Sequence, residues 1–412
     1  MKIALVTGPG GAGGTTISAL TAIALARSGS ATALISSDMS MPAVLGEPAI
    51  AARPGLTVLR PDPAARAIDA WPSISGYLSA LGVDQDIEPS DLAGLPGAIA
   101  VSTLLEIAAA AGAGDYDTVV VDAGSSAVEL LAAPESIGNL IDRLLPTPLR
   151  ILRQLGGLRA GRPGQSGDTG PVDLIGQLLA RLVLAHALLT DPAVTSVQLV
   201  VGPERLRSAS AARMLPTLAV CGAGTGRVVL NRRGLLTDRE LADQAAYWPA
   251  ELLVVPEQPT EPVGPALDAL VDTLDLIAEP LPAGIGPAVA ELEVSRQGNG
   301  FLAKIPVPLA ERAALHLARS GDDVLITVAG HTRRIELPSV LQRCTIVGAE
   351  FIGAGGAGSP GAGGAGSPGA ALLVRFVPDP GRWPQELAAF ATAGAAAGAA
   401  GSAGAAARGA AT

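Results

Sequence analysis

Short apolar runs alternate with helical stretches along the first two-thirds of the chain. The runs occupy residues 2–7, 32–36, 118–121, 197–201, 227–230 and 252–255. Strands that read as unbroken apolar runs are typical of a parallel sheet covered by helices on both faces. A polar or turn residue follows the end of each run, and ligands of open α/β sheets bind at that edge. The pattern predicts an α/β domain over residues 1–278 with its site at the carboxyl ends of the strands.

The remaining third has a different pattern, which predicts an all-β domain over residues 291–377. Its predicted strands lie at 291–295, 301–306, 323–329, 333–337, 345–351 and 371–376. A Pro/Gly-rich stretch at 279–290 predicts a linker before it. The sequence AGGAGSPG occurs twice in tandem within 353–370, which predicts a flexible insert between two strands. The Ala/Gly-rich residues 393–412 predict a disordered tail.

The pattern of residues 139–190 predicts a helical segment inside the α/β domain. The stretch Leu174–Leu189 is apolar almost all round, and only Gln177, Arg181 and His186 interrupt it. A helix of this composition is buried in a core, in a dimer interface or against a hydrophobic client. The sequence leaves these three alternatives open.

Composition excludes several classes of function. The formal net charge is −10 and aromatic residues make up only 2% of the chain, so there is neither a basic footprint nor a stacking surface for nucleic acid. No run of about 18 apolar residues occurs, which predicts a protein that does not itself span a membrane. The two cysteines, Cys221 and Cys344, form no CxxC pair or disulfide framework, which favours a cytoplasmic location.

A glycine-rich turn, Gly8-Pro-Gly-Gly-Ala-Gly-Gly-Thr-Thr16, follows the first strand and opens a helix. Glycines allow main-chain N–H groups to surround a phosphate, and the start of a helix adds its positive dipole. The hydroxyl of Thr15 is placed to bind Mg²⁺ and that of Thr16 a phosphate oxygen. The phosphate-binding residues predicted here are Gly10, Gly11, Ala12, Gly13, Gly14, Thr15 and Thr16. The alternative is that a glycine-rich protein simply has glycine-rich loops.

Three polar residues at strand ends add to this prediction. Asp122 is predicted to hold Mg²⁺, Asp38 to orient a water for attack on a terminal phosphate, and Asn231 to read an adenine edge. For any one of them, a turn former or helix cap is the simpler interpretation. Their arrangement around one phosphate loop favours the functional one.

These segments resemble the arsenical-pump (ArsA) ATPase family, which includes the ATPase of tail-anchored membrane-protein targeting. The family's loop KGGVGKTT is matched by Pro9–Thr16 and its switch I, near STDPA, by Ser36–Ser40. Switch II is matched by Asp122–Glu135, which is two residues shorter. The other matching segments are Ser196–Met214, Val228–Arg232 and Val255–Pro259. Beyond the linker, the segments near Pro306, Leu317, Gly330 and Leu337 resemble the α-crystallin-like domain that one branch of the family carries.

The resemblance implies a P-loop fold, ATP and Mg²⁺ as ligands, Pro256 on the base side of the site, a dimer, and a hydrophobic or membrane-protein client. Both family lysines are missing, because Pro9 and Gly14 stand in their places. Weak or absent ATP hydrolysis is therefore expected, and enzymatic activity stays open. Two cysteines cannot form the family's arsenite site, so arsenite transport is not supported.

Two hypotheses follow from the sequence. The first is a dimeric ATP-binding protein that couples its nucleotide state to a client bound by residues 139–190. The second is a pseudo-ATPase scaffold or chaperone-like module without turnover. Its partner would be a second copy or an active relative that supplies the missing lysine.

Overall fold

The chain divides into two compact units, Met1–Ala288 and Val289–Thr412. The computed structural model describes residues 1–46, 53–80, 87–144, 171–202, 209–231, 234, 236–248, 250–274, 292–353 and 370–382. The predicted linker at 279–290 and tail at 393–412 lie outside these residues. So does the predicted insert, apart from residues 353 and 370, together with residues 145–170 of the helical segment.

The first unit is built on a seven-stranded sheet in the order β3-β2-β4-β1-β5-β6-β7. All neighbouring strands run parallel. The strands are β1 Lys2–Thr7, β2 Thr32–Ser36, β3 Leu56–Leu59, β4 Thr118–Gly124, β5 Thr195–Val201, β6 Thr225–Leu230 and β7 Glu251–Val254. A parallel sheet brings the carboxyl ends of all its strands to one edge, as the sequence predicts.

Helices cover both faces of this sheet. Their bounds are α1 Gly14–Arg27, α2 Met41–Leu45, α3 Pro63–Ala80, α4 Pro89–Ala93, α5 Ala98–Ala113, α6 Ala127–Leu144, α7 Pro171–Thr190, α8 Ala209–Val220, α9 Asp238–Tyr247 and α10 Pro265–Thr273. Helices α1, α2 and α10 pack on one face, and α5, α6 and α7 pack on the other.

Alternate residues of the central strands contribute to the two cores. Ala4 and Val6 of β1 pack toward α1, whereas Ile3 and Leu5 pack toward α5 and α7. All four side chains are fully buried. Burial of a large aliphatic side chain contributes about 1.5–3 kcal/mol, so a strand buried on both sides favours an unbroken apolar run.

Two features of the sheet differ from the sequence pattern. Strand β3 is not among the predicted strands, because its four residues are too few to stand out and Thr57 is exposed. Strand β4 continues through Asp122 to Gly124, whereas the apolar run ends at Val121. Asp122 therefore lies inside the strand and is buried.

Helix α7 is amphipathic in its packing despite its apolar sequence. Leu182, Ala185 and Leu189 lie on one face and are buried in the core beside α5 and α6. On another face, Val183 is 62% and Leu184 44% exposed. The face with Leu182, Ala185 and Leu189 therefore belongs to the core. The face with Val183 and Leu184 is apolar surface that the described residues of this unit do not cover.

The second unit contains two antiparallel sheets, in the orders β10-β11-β12 and β13-β14-β9-β8. Their strands are β8 Glu293–Gln297, β9 Gly300–Pro306, β10 Leu315–Ser320, β11 Asp323–Val328, β12 His331–Glu336, β13 Cys344–Ile352 and β14 Ala371–Pro378. Strand β10 was not predicted as a separate strand. The core includes Val324, Ile326, Val374 and Phe376.

In the described part of the chain, no helix is both long enough and apolar enough to cross a bilayer.

Candidate functional site

The glycine-rich turn lies between β1 and α1 at the carboxyl edge of the sheet. Gly11 and Gly13 adopt φ values of 78° and 90°, a region that glycine occupies without strain. No side chain caps the start of α1, so the first-turn N–H groups point out of the helix end. A Cβ atom added at Gly10 or Gly14 would meet nothing within 4 Å. There is therefore space beside Gly10 and Gly14 where a phosphate would approach.

Asn231 holds the inner side of this turn. Its Nδ2 donates a hydrogen bond to Ala12 O at 2.9 Å, and a Cβ atom at Gly13 would come within 2.0 Å of that nitrogen. The close approach requires glycine at position 13. The structure thus gives Asn231 a contact with the loop backbone that the sequence did not predict, beside its predicted role at the base.

Gly8 packs the entrance of the turn against the neighbouring strand β5. A Cβ atom at Gly8 would meet Val200 O at 2.1 Å. We expect Gly8→Ala to lower the free energy of unfolding by about 1–3 kcal/mol, because the obstacle is rigid backbone. Thermal or denaturant unfolding measures this loss, and Gly10→Ala is the matched control because its Cβ would enter open space. Equal stability of both variants would contradict the prediction.

A hydrogen-bond network joins the turn to the ends of β2 and β4. Thr15 Oγ1 donates to Asp38 Oδ2 at 2.8 Å, and Ser36 Oγ donates to Asp122 Oδ2 at 2.8 Å. The Asp38 N–H donates to Ser36 Oγ at 3.1 Å. The structure therefore brings together Thr15, Asp38 and Asp122, which the sequence selected separately.

The Asp38 carboxylate is held in its ionised form by hydrogen bonds. Ser40 donates to Asp38 Oδ1 through both its N–H and its hydroxyl, each at 2.7 Å. The Ser40 N–H bond, which outweighs partial burial, and the hydroxyls of Ser40 and Thr15 lower the pKa of Asp38 below its ordinary value. Asp38 thus carries a negative charge beside the loop at neutral pH.

The environment of Asp122, in contrast to that of Asp38, disfavours the ionised form of the carboxyl group. The residue is 8% exposed, and its Oδ1 atom is buried without a hydrogen-bond partner. Burial raises the pKa of Asp122; hydrogen bonds from Ser36, the Gly124 N–H and Ser18 oppose this shift, and the charge of Asp38 adds to it. A buried carboxylate oxygen without a donor is costly unless a cation or proton satisfies it.

The oxygen atoms around Thr15 fit a magnesium ion better than a softer metal. Mg²⁺ in nucleotide sites takes one or two carboxylates, with phosphate and water completing its shell. Thr15 Oγ1 and Asp122 Oδ1 supply oxygen ligands of this kind. No three His, Cys, Asp or Glu side chains cluster to hold a metal among the described residues, and this site offers one carboxylate and one hydroxyl for the ion.

A cavity of about 330 Å³ adjoins the turn on the side away from Asp38. Gly13, Thr16, Asn231 and Pro256 line it, together with residues 257–262. The cavity would place a base beside Asn231 and Pro256 while the phosphates meet the turn. The sequence analysis likewise expects Asn231 and Pro256 on the base side of the site.

The turn itself, residues 8–16, contains no cationic side chain. Arg27, the nearest arginine along the chain, ends α1 and forms ion pairs with Asp268 at 3.1 Å and Asp272 at 2.8 Å. Positions 9 and 14, where lysines would stand, hold proline and glycine. A phosphate on this turn would meet backbone N–H groups and a hydroxyl, but no lysine.

Sequence reasoning missed Ser36 and Ser40, which orient Asp122 and Asp38. Ser36 ends β2 and Ser40 follows it by four residues, so their proximity to Asp38 is visible in the sequence. Their hydrogen bonds are not, because the Ser36–Asp122 bond joins residues 86 positions apart.

Comparison with known proteins agrees with this architecture. The sequence model of a family described as anion-transporting ATPase matches residues 1–248, and that of an HSP20-like domain found in ArsA matches residues 298–354. An uncharacterized protein of Streptomyces coelicolor is 32% identical over 93% of this chain and 100% of its own length. A Mycobacterium tuberculosis protein is 28% identical over 93% and 97%, respectively. A putative arsenical pump-driving ATPase of Chlorobaculum tepidum is 22% identical over 82% and 90%.

The two family matches follow the chain in the order of its two units, and the first covers more than half of its length. The resemblance inferred from the loop, switch and strand-end motifs is confirmed. The chain belongs to the ArsA anion-transporting ATPase family and carries the HSP20-like domain found in ArsA proteins.

Proposed function

We propose that this ArsA-family protein binds Mg·ATP at the Gly10–Thr16 turn and hydrolyses it weakly or not at all. The observation that supports binding is the joint geometry of the glycine turn, the Thr15–Asp38 hydrogen bond and the Asp122 Oδ1 atom without a hydrogen-bond partner. A buried carboxylate with one oxygen that has no donor is a costly arrangement that a bound cation would relieve. In this proposal Asn231 and Pro256 contact the base and Asp38 orients the attacking water.

Weak hydrolysis is proposed because positive charge acts mainly on the transition state. A charge-assisted hydrogen bond to phosphate contributes about 1.5–3 kcal/mol to binding. Loss of two lysines would weaken ATP binding by about one to four decades, since about 1.4 kcal/mol is tenfold. A single well-placed cation contributes about 10³–10⁵ to the rate of phosphoryl transfer. Replacement of both lysines should therefore affect turnover more than binding.

The proposal also covers the domains, the client and the oligomeric state of the protein. Residues 1–278 would form the nucleotide domain and 291–377 the α-crystallin-like domain. The helical segment 139–190 would meet a hydrophobic or membrane-protein client, supported by the exposed Val183 and Leu184 of α7. The protein would be a cytoplasmic homodimer, or a heterodimer with an active relative.

A pseudo-ATPase scaffold is the second candidate, and the missing lysines favour it. Proteins that keep the fold without turnover can hold a client or an active partner through their surfaces. In that case the Thr15–Asp38–Asp122 network would contribute only to folding.

Calorimetric titration with Mg·ATP separates these candidates. Binding that disappears on removal of Mg²⁺, and in a Thr15→Val variant, would support the nucleotide-binding function. The valine keeps the shape of the side chain and removes only the hydroxyl. If the wild-type protein shows no heat or stabilisation at millimolar Mg·ATP, the nucleotide-binding proposal is wrong and the scaffold remains.

The client and dimer proposals need their own measurement. Light scattering gives the oligomeric state, and an apolar transmembrane peptide serves as the probe for client binding. We expect Val183→Ser/Leu184→Ser to weaken peptide capture while leaving Mg·ATP binding unchanged. A monomeric protein would contradict the dimer proposal. Unchanged peptide capture by the double variant would contradict the client proposal.

A further inference from the structure

Arg60 lies at the carboxyl edge of the sheet, directly after β3. Strand β3 pairs with β2 in the register Ile35 to Leu59, so Arg60 stands beside Ser36. Ser36 in turn pairs with Asp122 of β4. The arginine is therefore on the same edge as the magnesium ligands proposed above, and its side chain is exposed.

The Arg60 guanidinium contacts the sulfur of Met39, the residue after Asp38. A thioether is a weak hydrogen-bond acceptor. Asp62, the nearest acidic residue in sequence, is engaged by the start of α3, where its Oδ1 accepts from Ala64 N–H at 2.9 Å and Ala65 N–H at 3.0 Å. Within the described ranges Arg60 has no carboxylate partner.

Four other arginines of this unit, Arg27, Arg53, Arg66 and Arg227, each form an ion pair with a carboxylate. Arg60, like Arg181, Arg213 and Arg239, forms no ion pair among the described residues. Its guanidinium instead contacts the weak acceptor of Met39, the residue after Asp38. If the Arg60 side chain moved away from Met39, no ion pair among the described residues would be broken.

We propose that Arg60 supplies, from within the same chain, positive charge that Pro9 and Gly14 no longer give. The inference rests on the proposed function: its guanidinium would leave the Met39 sulfur and hydrogen-bond to the terminal phosphate oxygens of a nucleoside triphosphate on the Gly10–Thr16 turn. Arg60 is then a phosphate-binding residue for the part of the ligand farthest from the base.

The position of Arg60 in the sheet sets the distance that its contact with a bound phosphate must bridge. Adjacent strands lie about 4.8 Å apart, so Arg60 is about 14 Å along the sheet from β1 and its turn. The guanidinium already extends to Met39, and Asp38 accepts the Thr15 hydroxyl at 2.8 Å. Met39, which the guanidinium contacts, directly follows Asp38 in the chain. In the proposed complex the Arg60 side chain would turn from Met39 toward a terminal phosphate near Thr15.

Calorimetry with Mg·ATP and with AMP tests the proposal in Arg60→Gln. We expect Arg60→Gln to weaken ATP binding about 10- to 100-fold, the equivalent of one charge-assisted hydrogen bond. AMP binding should change less than about twofold, because AMP lacks the terminal phosphates. Arg60→Lys should retain part of the affinity as a point charge. Arg181→Gln, an exposed change of the same charge on α7, should leave both ligands unaffected.

A second arm uses Gly14→Lys, which restores a cation inside the turn. Arg60→Gln should cost less in that background, since the lysine meets the same phosphates. If Gly14→Lys strengthens ATP binding while Arg60→Gln leaves the wild-type affinity unchanged, the role of Arg60 is wrong and the proposed function stands. Equal weakening of ATP and AMP would also overturn it. If neither the wild type nor Gly14→Lys binds ATP, the proposed function fails and the inference with it.

Discussion

A Gly14→Lys variant is expected to hydrolyse ATP about 10³-fold or more faster than the wild-type protein. The physical reason is that charge builds on the phosphate oxygens in the transition state, where one cation contributes about 10³–10⁵ in rate. The remaining parts that such a reaction needs are in place in the proposed site, namely Thr15, Asp38 and Asp122.

The structure accommodates this substitution. Gly14 is the first residue of α1 and does not adopt a positive φ, and a Cβ atom there would enter open space. A lysine side chain could therefore extend from the start of the helix without displacing backbone. This differs from Gly13, where Asn231 and a φ of 90° exclude any side chain.

Phosphate release under saturating Mg·ATP measures the effect. Gly14→Gln is the matched control, because it adds a long polar side chain without a charge and should remain as slow as the wild type. An equally slow Gly14→Lys variant that nevertheless binds ATP would show that the shortened switch II segment, Asp122–Glu135, also limits turnover. A fast wild-type enzyme would contradict the proposal of weak hydrolysis.

Asp122→Asn is expected to have two opposite effects. Magnesium-dependent ATP binding should fall at least about 100-fold, because loss of even an outer-shell partner of a metal costs about 10–100-fold. The metal-free protein, in contrast, should gain roughly 1 kcal/mol in free energy of unfolding at neutral pH, a gain typical of relieving a strained functional site. A neutral amide removes the buried charge whose Oδ1 has no donor.

The stability gain should depend on pH in a defined direction. Burial raises the pKa of Asp122 above its ordinary value of 3.8, so the folded protein holds this proton more tightly than the unfolded chain. Its contribution to stability therefore falls as the pH rises through the interval between 3.8 and the raised value. The advantage of Asp122→Asn should be full above that interval and disappear below it.

Denaturant unfolding in the presence of a chelator, from acidic to neutral pH, measures this difference. Asp115→Asn is the control, because Asp115 is exposed just before the same strand. It should alter neither stability nor ATP binding. A loss of stability in Asp122→Asn at neutral pH would show that the carboxylate is better accommodated than its burial indicates.

Strand-end residues could be predicted because their signal is local. An apolar run that stops at a polar residue identifies both the strand and its ligand-facing edge, and this pattern predicts Asp38 and Asp122 there although β4 continues two residues past Asp122. Strand β3 was missed because Leu56–Leu59 is short and partly exposed, so its pattern does not differ from that of a loop.

The contacts that shape the site could not be predicted because they join distant parts of the chain. The Asn231 bond to Ala12 O spans 219 positions and exists only because β6 and β1 lie on either side of β5. The amphipathic packing of α7 was hidden for a similar reason. Its sequence is apolar on nearly every face, so only the position of α5 and α6 decides which residues are buried.

The anchoring of the turn at both ends has a consequence for the kinetics of ligand capture. Gly8 rests on Val200 and Ala12 is bound by Asn231 before any ligand arrives, so the conformational entropy of the turn is lost during folding rather than during binding. The chain should associate with its ligand without a slow rearrangement of the turn. Any weakness that arises from the missing lysines would then appear as fast dissociation.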